Sequence, residues 1–72
     1  MNYTIHKANT TGPSCARDDI ELIVPMLSSK HDAISLAKSL SVDNPSIRYF
    51  VKCGSSIIAS AYRGRASHYH QY

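Results

Sequence analysis

Ile47-Arg-Tyr-Phe-Val-Lys-Cys-Gly-Ser-Ser-Ile-Ile-Ala-Ser-Ala-Tyr62 is the stretch whose reading decides the fold. Two runs rich in β-branched and aromatic residues flank Gly54-Ser55, the composition of a tight hairpin. Tyr49, Phe50 and Tyr62, half the aromatic residues of the chain, lie in it. A two-residue loop pairs Val51 with Ile58, Tyr49 with Ser60 and Ile47 with Tyr62. Those residues and Cys53 then form the more apolar face. Arg48, Phe50 and Lys52 lie on the other, opposite Ile57, Ala59 and Ala61. A one-residue change in the pairing would carry Ile57, Ala59 and Ala61 to the first face, because strand side chains alternate.

Upstream, Ser29 before Lys30-His31-Asp32 has the pattern of a helix N-cap, and Asp32 suits the positive first turn. Ala33, Leu36, Ala37 and Leu40 follow at helical spacing with Ile34 at the edge, and Asp43-Asn44-Pro45 stops the run. The stripe is narrow and alanine-rich, so such a helix can lie close to a sheet. Tyr3-Thr4-Ile5-His6-Lys7 alternates as a first strand facing inward through Tyr3 and Ile5. The segment around Gly12-Pro13 has turn chemistry. In residues 18–27, Asp18-Asp19 can cap a helical turn, but Ile20, Ile23 and Val24 are β-branched and Pro25 follows, which favours a second strand.

The expected fold is α+β: a mainly antiparallel four-stranded sheet, β-β-α-β-β, with one helix on one face. Residues 1–65 make one domain, and 66–72 a basic-aromatic tail in preference to an extra strand. With 72 residues, a chain buries only about 60% of the surface its unfolded form exposes, which leaves little room for a deep pocket. Covering an open sheet face with a second copy is one way to gain stability. A homodimer is therefore among the expected states.

Net charge is +3, unevenly spread. Every acid lies between Asp18 and Asp43, while Arg48, Lys52, Arg63 and Arg65 follow with none. That polarity fits an acidic partner, nucleic acid or an acidic protein surface, and equally fits ordinary solvated charge. No nucleophile elbow, HExxH, P-loop or GxGxxG is present. Cys53 reads as a small hydrophobe, and Cys15 has no evident base beside it. His68-x-His70 supplies one close pair where zinc takes four ligands. Neither catalysis nor a cofactor or metal is expected.

No signal peptide is evident, and the longest apolar run is far short of the ~20 residues of a bilayer span. A cytoplasmic protein without membrane contact is expected. On the face away from the helix, Ile23, Phe50 and Ile57 should stand beside Arg48, Lys52, His6 and Thr4, an apolar patch rimmed by charge. Arg48, Phe50, Lys52, Ile57, Arg63 and Arg65 are the candidate partner-binding residues.

The order of Tyr3-to-Lys7, Ile20-to-Leu40 and Ile47-to-Tyr62 resembles small phage-encoded anti-CRISPR proteins. The resemblance implies a non-enzymatic inhibitor in the host cytoplasm that docks by protein–protein contact on a bacterial nucleic-acid-handling defence complex and blocks its nucleic-acid channel. The alternative is a basic nucleic-acid-binding protein, with Phe50 stacking on bases between the cations Arg48 and Lys52 and the tail adding Tyr69 and Tyr72.

Overall fold

The computed structural model describes residues 2–9 and 20–69. Six elements follow in order: β1 (Tyr3–Ala8), β2 (Ile20–Leu27), α1 (Lys30–Asp43), β3 (Tyr49–Cys53), β4 (Ser56–Tyr62) and β5 (Arg65–His68). The strands form one antiparallel sheet in the order β2-β1-β3-β4-β5. Strands β2 and β3 both run antiparallel to β1 and so parallel to one another. No tight turn can join them. Helix α1 makes the return, crossing one face of the sheet. The α+β class is as expected, with five strands where four were expected.

Helix α1 begins as its sequence indicates. The Ser29 side chain accepts a hydrogen bond from the Asp32 amide at 3.3 Å, satisfying a donor that the first turn leaves open. The chain leaves the helix at Asn44, whose amide donates to the Leu40 carbonyl. The buried stripe is rotated from the expected one. Ala33, Ala37 and Ser41 are fully buried and Leu36 is exposed. With only methyl groups and a hydroxyl beneath it, the helix lies close to β3 and β4, its main contacts.

The core under the helix consists of Ile5, Ala33, Ala37, Tyr49, Val51, Ile58, Ala59 and Ala61, with Tyr3, Ile23, Val24, Leu27, Ile34, Leu40, Ile47 and Cys53 packed around it. Tyr3 and Ile5 face inward as their alternation requires.

Register shifts decide the remaining faces, one between β3 and β4 and two between β1 and β2. The β3–β4 turn is the expected two-residue Gly54-Ser55, with Gly54 at φ 65° and Cys53 opposite Ser56. Lys52 pairs with Ile57, but Val51 then pairs with Ala59 and Tyr49 with Ala61. Ile58 is the extra residue, and past it every β4 side chain changes face relative to the regular hairpin. Ala59 and Ala61 therefore go under the helix and Ser60 and Tyr62 away from it, the reverse of the expected pairing. The packing suits the exchange: small alanines at 59 and 61 leave room beneath the helix for Tyr49 and Val51, their cross-strand partners. In β2, Ile5 pairs with Val24 and His6 with Leu22. Ile23 is the extra residue, and it packs on the helix-side core with Val24, so it does not belong to the open face.

Residues 65–68 are a strand and not a tail. The Arg63-Gly64 turn has φ 53° and 80°, positive at both positions as a type I′ hairpin turn requires. Tyr62 then pairs with Arg65 and Ala59 with His68. Residues 70–72, and with them His70 and Tyr72, lie outside the described residues, as do residues 10–19 with Cys15.

Candidate binding face

Side chains directly opposite in paired strands point to the same face of a sheet. The registers therefore assemble the helix-free face row by row. One row runs Leu22, His6, Phe50, Ser60, Ser67. A second holds Thr4, Lys52 and Ile57. A third brings Ile20 and Ala8 beside Arg48, whose carbonyl accepts from the Ala8 amide at 2.9 Å. Beyond Arg48 come Tyr62 and Arg65.

Phe50 occupies the middle row and is 1% exposed. It is not the surface ring that the strand's alternation implied. His6 and Ser60 lie directly opposite on either side. Ser60, itself buried, holds the Tyr69 hydroxyl through a 2.9 Å hydrogen bond, and the Tyr69 amide donates to the Ile58 carbonyl. Tyr69, just past the extra strand β5, is thus tied to the middle row through Ser60. Phe50 and Ala8 are both buried on this side of the sheet, outside the helix-side cluster. Phe50 offers neither a stacking platform nor a docking knob.

His6 sits at the centre of the face with Nε2 2.9 Å from the Thr4 hydroxyl. Burial pushes its imidazole below the ordinary range of histidine, and the Lys52 ammonium acts in the same direction. Lys52 and Ile57 are half-buried, opposite one another.

The arginines gather at the other end. The Arg48 guanidinium lies 5.0 Å from the centroid of the Tyr62 ring and that of Arg63 5.3 Å from it, both within cation–π range. Arg65 stands directly across from Tyr62 in the β4–β5 pair. The Nε of Arg48 is buried without a hydrogen-bond partner. Arg63 is the one described non-glycine residue at positive φ, an uncommon conformation that needs support. Ser41 supplies it. Its buried hydroxyl donates to the Lys38 carbonyl at 2.7 Å and accepts from the Gly64 amide at 2.8 Å. A polar residue on the buried face of α1 thereby anchors the turn that presents Arg63.

Charge is segregated in space as well as in sequence. Glu21 pairs across from Lys7, whose other neighbour Tyr49 is in the helix-side core. Asp32 and Asp43 are on α1. Among the described residues the helix-free face therefore carries no carboxylate, while Arg48, Lys52, Arg63 and Arg65 all border it.

Of the expected binding residues, the structure keeps Arg48, Lys52, Ile57, Arg63 and Arg65 on this side and removes Phe50. Two residues join that sequence reasoning placed elsewhere: Tyr62, brought over by the bulge at Ile58, and Leu22, 49% exposed opposite His6. No local signal in Ile57-Ile58 marked the bulge that brings Tyr62 over. Among the described residues no three His, Cys, Asp or Glu side chains come together as metal ligands, and no helix is long and apolar enough to cross a membrane. No family model, curated protein or solved structure matches the chain.

Proposed function

We propose that the protein is a small non-enzymatic binding module that docks through its helix-free sheet face on an acidic surface of a protein partner. The observation that carries this is a face without a carboxylate among the described residues, with arginines grouped on Tyr62 at one end and exposed Leu22 at the other. Arginine and tyrosine around a partly desolvated contact are the residue types that dominate protein interfaces. Burial of Phe50 favours a protein over single-stranded nucleic acid, because base stacking needs open rings, and Tyr62 already carries two guanidinium groups.

In keeping with the resemblance to phage-encoded inhibitors, the partner we favour is a bacterial nucleic-acid-handling defence complex. The charge of the face refines where docking would occur. A channel that holds nucleic acid is itself basic, and Arg48, Lys52, Arg63 and Arg65 would be repelled by it. An acidic patch outside the channel is the complementary surface.

The second reading is direct binding to the phosphate backbone of nucleic acid, which the same arginines favour. Affinity capture from bacterial lysate with the parent and with Arg63→Glu/Arg65→Glu, run beside gel shifts on bare duplex and single strands, separates the two. A defined complex retained by the parent and lost by the variant, with no shift of bare nucleic acid at physiological salt, supports docking on protein. Shifts with a steep salt slope, or capture that charge reversal leaves unchanged, overturn it.

A further inference from the structure

The cluster around Tyr62 has more charge than an ordinary interface rim requires. Arg48 and Arg63 share one ring, and Arg65 is the ring's cross-strand partner. Among the described residues none of the three has a carboxylate to balance it. A π-face attracts cations but does not neutralise them. Arg48 adds a buried Nε donor without an acceptor, a group that native proteins seldom leave unmatched.

The number and shape of the donors discriminate between anions. Each guanidinium is a planar fork suited to two oxygens of one anion. A carboxylate brings one charge and two oxygens, enough for one fork. A phosphoryl monoester brings close to two charges above its second pKa and three acceptor oxygens, which several forks can share. The turn is also held in place: Ser41 ties Gly64 to α1 at 2.8 Å, so Arg63 starts from an anchored backbone.

We propose that Arg48, Arg63 and Arg65 around Tyr62 form a binding site for a dianionic phosphoryl group, of the kind found in inorganic phosphate and phosphate monoesters. This rests on the helix-free face being a binding surface and adds the class of anion that its arginine end selects.

The test is a titration of the full ¹⁵N-labelled chain, followed through the amides of Arg63, Gly64 and Arg65 at pH 7.5 and constant ionic strength. Inorganic phosphate and glycerol 3-phosphate are the dianionic probes. Dimethyl phosphate represents the monoanionic diester of a nucleic-acid backbone, and acetate a partner's carboxylate. Both dianions should bind about tenfold more tightly than the diester and acetate, the factor expected for one additional charge-assisted hydrogen bond. Arg63→Gln and Arg65→Gln, both at exposed positions, should each weaken phosphate binding about tenfold while the rest of the spectrum is unchanged. Arg48→Lys keeps the charge but removes the fork, and should weaken it as well. Acetate or the diester binding as tightly as phosphate would overturn the proposal, as would phosphate shifts that persist in the Arg63→Gln/Arg65→Gln double variant. Because no partner is present, failure here leaves docking on protein standing, and failure of docking leaves phosphate binding measurable.

Discussion

Phe50→Ala separates a core residue from a contact residue. A ring exposed on the sheet could be truncated at a cost within about 0.5 kcal/mol, as for other surface sites. Phe50 is 1% exposed, between His6 and Ser60 and beneath the level of the Tyr69–Ser60 hydrogen bond. Removing a buried ring costs about 3–5 kcal/mol, the lost transfer energy plus the cavity left behind. Small domains often have only about 5 kcal/mol to lose. With an m-value near 1 kcal/mol/M for a chain of this size, the urea midpoint should fall by about 3 M or more. In thermal terms the loss is at least about 12 °C. Far-UV circular dichroism against urea, for the parent, Phe50→Leu and Phe50→Ala, measures it, and the leucine variant should fall between the other two. A Phe50→Ala protein with its midpoint within about 0.5 M of the parent, yet deficient in partner binding, would refute this placement of the ring.

The β4–β5 turn offers a paired test. A Cβ at Gly64 would lie 2.9 Å from Val42 Cγ2 at a φ of 80°, so Gly64→Ala should cost more than about 1 kcal/mol. Val42→Ala, at a 63% exposed position, should be nearly neutral alone but restore part of the loss in the double variant, giving a non-additive cycle in urea unfolding. Ser41→Ala leaves the Gly64 amide without its acceptor and should cost about 1–3 kcal/mol. Hydrogen exchange at Gly64 should speed up more than at amides in the centre of the sheet. His6 titrates below the ordinary value of 6.5 when folded, so as pH falls past that value the unfolded chain takes up its proton first and stability declines. His6→Asn should flatten the stability profile on the acid side of pH 6.5, and a profile unchanged by the substitution would count against the burial of the ring.

The parts of this fold that were legible in sequence are those governed by local chemistry. Ser29 caps α1 because a serine oxygen reaches the amide three residues on, whatever surrounds it. Gly54-Ser55 turns the β3–β4 hairpin because glycine accepts positive φ. Tyr3 and Ile5 face inward by simple alternation. The basic stretch from Asn44 onward, which has no acidic side chain, was equally plain, and Arg48, Lys52, Ile57, Arg63 and Arg65 remain on or beside the face it implied.

Tertiary structure decided the rest, because the face of a strand residue depends on cumulative register, and one extra residue reverses everything after it. Ile58 does this in β4 and Ile23 in β2, and neither position differs in local propensity from its neighbours. The choice goes with the packing beneath α1, where Ala59 and Ala61 join Ala33, Ala37 and the large Tyr49 in one cluster. Strand β5 has little intrinsic β-propensity in Arg-Ala-Ser-His. It forms because the Arg63-Gly64 turn, held by Ser41, brings it back along β4. That same strand leads into Tyr69, which bonds Ser60, and stations Arg65 opposite Tyr62. Sequence alone established a one-helix sheet with a basic end, and long-range packing selected which ring was buried and around which ring the arginines gathered.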